Sequence, residues 1–123
     1  MFNYVARESK RFITRCVNTW EGIAITWKDE ASFPQWVVIN IISITLTFVF
    51  PISTTQQALL IALGLLILVV ELLNTAIEAC IDRISDDIHP LSKKAKDAGC
   101  AAVALTAITG LIVWIIVLCG LYA

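Results

Sequence analysis

Glu71, Asn74, Glu78 and Asp82 recur at intervals of three and four residues. On a helix they fall at about 0°, 300°, 340° and 20°, a single face. The rest of that stretch is mainly Leu, Ile, Val and Ala. Acids in an apolar helix are costly in a bilayer, so they turn toward a bundle interior or a wet cavity and mark a site. Glu71 lies 12 residues before Arg83, about 18 Å along a helix, with Glu78 about two turns nearer the water. The difference in depth separates two jobs. A shallow carboxylate can hold a hydrated cation, and a deeper one, stripped of water, suits a general base. Glu30 offers a second metal carboxylate, and Mg²⁺ is commonly held by one or two carboxylates plus substrate phosphates. Lys96 and Asp97, beside Lys93 and Lys94, suit a polyphosphate. His89, before Pro90, reads as a structural turn residue. The chain has no Gly-rich phosphate loop and no Walker or protein-kinase motif.

These residues need helices to hold them. Residues 6–29 carry an apolar stripe (Phe12, Ile13, Cys16, Trp20, Ile23, Ala24, Trp27) against a face with Arg7, Lys10, Arg11 and Arg15. That pattern is too polar to cross a bilayer and predicts an amphipathic helix in the headgroup plane. Pro34 suits the first turn of the helix that follows. Apolar stretches at 34–52, 57–82 and 98–122 are each long enough to span. Residues 83–97 read as a charged loop, with the preceding helix ending near Ser85 because of Pro90. Small residues early in the third span, Gly99 to Gly110, predict close helix contact, and Trp114 and Tyr122 suit an interface. The predicted fold class is an all-α membrane protein: three transmembrane helices plus a surface helix, in one unit over residues 1–123.

The composition agrees. The 123 residues are 59% hydrophobic and 15% charged, with a net charge of −1 and a mean hydropathy of +0.83. All nine Lys and Arg lie within 7–28 or 83–96. This clustering beside apolar stretches argues against nucleic-acid binding and puts the N-terminus and the 83–97 segment in the cytoplasm, with the C-terminus outside. Four cysteines (Cys16, Cys80, Cys100, Cys119) lack metal-ligand spacing and read as small packing residues rather than a disulfide or zinc site. The charged N-terminus lacks the early apolar core of a cleavable signal peptide. Three spans enclose a site poorly, so oligomerisation is expected.

The pattern E-x-x-N-T-A-I-E-A-x-x-D-R at 71–83, followed by H-x-L-S-x-x-A-K-D-x-G-x-A-A-V at 89–103, closely resembles the prokaryotic diacylglycerol kinase family. Trp20-x-Gly22 and Glu30-Ala-x-Phe33 extend the resemblance toward the start. It implies a homotrimeric inner-membrane lipid kinase with sites shared between subunits, moving the γ-phosphoryl of MgATP to the primary hydroxyl of diacylglycerol to give phosphatidic acid. Glu71 falls on the catalytic base, Glu30 and Glu78 on the metal carboxylates, and Asn74 on a supporting polar position. Glu30 and Glu78 also count, with Arg11, Asn18, Asp87, Ile88, His89, Lys96 and Asp97, among ATP-contacting positions. The lipid-facing positions it implies are Arg11, Arg15, Cys16, Val17, Asn18, Thr19 and Trp20 on the surface helix, then Ala24, Ile25, Thr26 and Trp27. Ser32, Phe33, Pro34, Gln35 and Trp36 follow, with Glu71, Cys100 and Trp114. Pro34, Trp36 and Asn18 depart from the Arg, Glu and aromatic residues common there.

Three other readings use the same residues. The scaffold suits kinase action on a polyprenol such as undecaprenol. A cation- or proton-coupled transporter would use the acids as a relay, but the far loop Pro51 to Gln56 carries no charge. A structural membrane subunit would use them only to pair helices.

Overall fold

The computed structural model describes residues 2–123 and, among them, holds four helices: α1 (Phe2–Asp29), α2 (Ser32–Val49), α3 (Thr54–Ile84) and α4 (Pro90–Tyr122). The last three are long and apolar enough to cross a membrane. At 1.5 Å per residue α3 and α4 reach about 46 and 50 Å, beyond the roughly 30 Å of hydrocarbon, so their polar ends project.

Local chemistry sets the ends. Ser53 caps α3 in a reciprocal box: its Oγ accepts from the Gln56 N–H at 3.2 Å, and Gln56 Oε1 accepts from the Ser53 N–H at 2.8 Å. Gln57 Nε2 reaches back to the Thr47 carbonyl at 3.3 Å and ties the α2–α3 turn. Arg83 in the last turn of α3 suits the negative end of the helix dipole, and the helix stops at Ser85, as expected. The segment expected to be a loop through Asp97 is shorter. Pro90 takes the first helical position and His89 Nδ1 accepts from the Leu91 N–H at 3.2 Å, so residues 90–97 wind into the first two turns of α4. The turn role expected of His89 is thus a helix cap. α1 begins at Phe2, ahead of the expected residue 6.

α3 is the centre. α2 and α4 pack on it, while α1 meets α2 and α3 only lightly. Thr26 is the one buried residue of α1 among those described; Phe12, Ile13 and Trp20 are exposed. An apolar stripe with no protein cover fits a helix laid on a headgroup plane. Where α3 meets its neighbours, glycines admit amides: a Cβ on Gly64 would stand 2.1 Å from Asn40 Oδ1, and one on Gly99 2.1 Å from Asn74 Oδ1. Of the small residues expected to make close contact, Gly99 does so, whereas Ala101, Ala102 and Ala104 are exposed and Gly110 has open space beside it. The cysteines also differ from expectation. All four are free and exposed on the single chain, because the buried core is confined to a thin seam along α3.

Between α2 and α4, over the N-terminal half of α3, lies an open apolar groove of about 510 Å³ whose floor includes Leu60, Gly64 and Ile67. Trp114 lines one wall. Its Nε1 donates to Ser43 Oγ at 2.9 Å, and its ring stands edge-on to Phe50 at 6.3 Å.

Candidate active site

Glu71 is 4% exposed, held inside the helices by its place on the inward face of α3. Ser32, in the first turn of α2, donates its hydroxyl to Glu71 Oε1. The α1–α2 junction is thereby pinned to the middle of α3. That junction is itself packed: Phe33 is buried and edge-on to Trp27 at 6.4 Å, and Thr26 is buried with its hydroxyl on the Gly22 carbonyl at 2.8 Å. Glu30 sits in the same junction, half-buried, with its N–H on the Thr26 carbonyl at 2.9 Å.

One turn on from Glu71, Asn74 is 8% exposed. Its Nδ2 donates to Glu78 Oε1 at 3.2 Å. Its Oδ1 is the one buried side-chain polar atom among the described residues without a hydrogen-bond partner, and it faces Gly99 of α4. The amide therefore orients Glu78 while being confined by the closest approach of α3 and α4.

Nearer the polar end the stripe opens to water. Asp82 accepts from Lys96 Nζ at 2.5 Å. This hydrogen bond is the main reason the Lys96 ammonium, which precedes the apolar part of α4, lies above its ordinary value; the charges of Asp82 and Glu78 add to it, and desolvation opposes it. Lys93 pairs with Asp97 one turn apart. Around these groups the α3 end, the Ser85–His89 connection and the α4 start form a polar cleft of about 350 Å³. Asp82, Asp86, Asp87, Ile88, His89, Lys93, Lys96 and Asp97 all line it.

The stripe read from the sequence therefore has three levels: Glu71 and Asn74 buried, Glu78 half-buried, and Asp82 with Lys96 at the mouth. From Glu71 to Asp82 is about 16 Å along the helix. Ser32 and Glu71 meet directly, and Asp87, Ile88, His89, Lys96 and Asp97 share one cleft. The α1 residues do not join them within one chain. Arg11 pairs with Glu8 of its own helix at 2.7 Å, and Arg15, Cys16, Val17, Asn18, Thr19, Trp20, Ala24 and Ile25 are exposed. Pro34 and Trp36 are half-buried and Gln35 exposed along α2; Cys100 is exposed on α4. Trp114 lies on the groove, about 26 Å along α4 from Asp97.

Sequence reasoning missed three features. Asp82 was on the stripe but had no role; as the partner of Lys96 it closes the α3–α4 junction. From the sequence Gly99 is only one small residue among several, whereas in the fold it faces the Asn74 amide. The contact of the Ser32 hydroxyl with Glu71 is the third. In all three, the signal lay in contacts between helices, which spacing along one helix does not encode.

For a divalent cation the donors are hard oxygens. Among the described residues no cluster of three or more His, Cys, Asp or Glu forms a metal cage. Glu78 is half-buried and engaged by Asn74 through Oε1, which leaves its second oxygen for a cation. Such a set suits Mg²⁺, which takes few protein ligands and completes its shell with phosphate and water.

The family model described as prokaryotic diacylglycerol kinase matches residues 17–118. The diacylglycerol kinase of Pseudomonas aeruginosa is 45% identical over 113 residues, 90% of each chain. That of Escherichia coli (strain K12) is 37% identical over 108 residues, 88% of each. That of Helicobacter pylori (strain 26695) is 32% identical over 117 residues, 95% of this chain and 91% of its own. With a match of this extent and with three levels of acid laid along one membrane helix, the chain belongs to the prokaryotic diacylglycerol kinase family.

Proposed function

We propose that this protein transfers the γ-phosphoryl group of ATP to the primary hydroxyl of diacylglycerol, giving phosphatidic acid and ADP, at the cytoplasmic face of the inner membrane. The observation that carries this reading is the vertical order of the stripe: a carboxylate buried at lipid depth, below a cleft of charged groups open to water. A lipid alcohol reaches the first from the bilayer, and a nucleotide reaches the second from solution.

Glu71 accepts the hydroxyl proton as the lipid oxygen attacks the γ-phosphorus. The bond from that phosphorus to the β–γ bridging oxygen breaks, and ADP leaves with the electron pair. Such a transfer asks for positioning and charge neutralisation more than covalent help. Lys96 supplies positive charge at the mouth of the cleft, moving from Asp82 to phosphate oxygens. Glu30 and Glu78 would hold Mg²⁺, which when bound neutralises charge on the β- and γ-phosphates. Asn74 keeps Glu78 turned toward that position.

The distribution of basic residues supports a cytoplasmic N-terminus, since α1, the last turn of α3 and the first two turns of α4 carry all of them. The broad exposed apolar surface of the single chain supports a homotrimer, in which Arg11, Asn18 and the lipid-facing α1 positions could complete a neighbour's site. The relatives support diacylglycerol over a polyprenol, and kinase over transporter. Radiolabelled phosphate transfer from ATP in mixed micelles tests the reading, with diacylglycerol and undecaprenol in parallel and Mg²⁺ present or chelated. Label should enter diacylglycerol only with Mg²⁺; label in undecaprenol alone would reassign the substrate.

A further inference from the structure

Serine in the first turn of a helix usually spends its oxygen on capping backbone N–H groups. Ser32 does not. The position before it, Ala31, has helical dihedrals (φ −64°, ψ −29°) and makes no side-chain cap bond. The Ser32 hydroxyl instead crosses to α3 and donates to Glu71 Oε1, 39 residues away in the chain. The carboxylate it meets is 4% exposed, and a buried carboxylate is tolerated only with donors against it.

We propose that Ser32 is a positioning residue for Glu71: its hydroxyl holds one carboxylate oxygen so that the other faces the attacking lipid alcohol. This rests on the reading of Glu71 as the proton acceptor. The hydroxyl proton of Ser32 stays on Ser32 throughout. The alcohol proton goes to the free oxygen of Glu71 as the oxygen–phosphorus bond forms. The hydroxyl is well placed for the task, because its neighbours fix the backbone that carries it: Phe33 is buried against the edge of Trp27 at 6.4 Å. Ser32 is also two residues from Glu30, so the same bond sets the depth of a candidate metal carboxylate relative to the base. A role in holding lipid would show itself in KM; a role in aiming the base shows in kcat.

The experiment compares Ser32→Ala, Ser32→Thr and Glu71→Gln in the full-length protein in mixed micelles, with kcat and KM for both substrates. Ser32→Ala should lower kcat roughly tenfold, as expected from losing a hydrogen bond to a charged group, with both KM values within about twofold. Ser32→Thr, which keeps the donor, should recover most of the loss. Should Ser32→Ala not fold, Ser32→Cys, of similar size and a weak donor, takes its place. The proposal is overturned if removing the hydroxyl leaves kcat unchanged, if only the lipid KM rises, or if the Thr variant folds yet is as slow as Ala. The two readings separate cleanly. Turnover surviving in Glu71→Gln removes the base itself, whereas an inactive Glu71→Gln beside a fully active Ser32→Ala removes only Ser32.

Discussion

The side-chain oxygen of Asn74 fills the space that a β-carbon on residue 99 would need, the two points lying 2.1 Å apart. Asn74 is buried and its amide nitrogen is committed to Glu78 at 3.2 Å, so it cannot move without moving Glu78. Gly99→Ala should therefore destabilise the protein by about 1–3 kcal/mol through overpacking and weaken Mg²⁺-dependent nucleotide binding. Adding Asn74→Ala to that variant should restore much of the stability, since the clash is gone, but not the binding. Unfolding midpoints in detergent, read beside a nucleotide titration with and without Mg²⁺, check both halves. An unchanged midpoint in the single variant would remove the packing argument.

Glu71→Gln replaces the proposed proton acceptor with a neutral group of the same shape whose oxygen still accepts from Ser32. The fold should survive. Turnover should fall by roughly 10²–10⁴, the range for losing a general base, while ATP affinity stays near that of the parent. Nucleotide binding and kcat measured on one preparation decide the matter, because equal loss of both would mean that Glu71 holds the assembly and does not take the proton.

How much of this could be read from residues alone follows from which forces act along one helix and which act between helices. The shared face of Glu71, Glu78 and Asp82 and their graded burial were legible, because a period of 3.6 residues sets the face and the cost of an acid among apolar residues turns it inward. The three long apolar helices were legible for the same reason. The start of α4 was not: the charge of Lys93, Lys94, Lys96 and Asp97 suggested a solvated loop, but charge does not oppose a helix once Pro90 and the His89 cap begin it. The exposure of all four cysteines was missed because in a membrane chain apolar surroundings include lipid as well as protein core. Ser32 against Glu71 depends on how α2 docks on α3, which neither helix records by itself.

Glu78→Ala removes the half-buried carboxylate that Asn74 orients. In metal-free solution nucleotide affinity should change little, or rise slightly as a negative charge next to the cleft is removed. With Mg²⁺ present the affinity gained on adding metal should largely disappear. Calorimetric titration of nucleotide with and without Mg²⁺ separates the two conditions, and a metal-dependent gain equal to that of the parent would take Glu78 out of metal binding.

Trp114 joins α4 to α2 by two contacts at once, the indole N–H on Ser43 at 2.9 Å and the ring edge on Phe50 at 6.3 Å. Trp114→Phe loses the first contact and keeps an aromatic ring for the second. A net hydrogen bond of this kind contributes about 0.5–1.5 kcal/mol, so the unfolding midpoint should fall modestly while the groove stays lined. Trp114→Ala removes ring and bond together and widens the groove over Leu60, Gly64 and Ile67, with a larger expected cost of about 3–5 kcal/mol if the gap does not collapse. Because Trp114 stands about 26 Å along the helix from Asp97, neither change should alter ATP affinity. A diacylglycerol KM that rises in the Ala variant but not in Phe would assign the ring, and not its N–H, to the lipid; a rise in ATP KM would show that the groove and the polar cleft are coupled through α4.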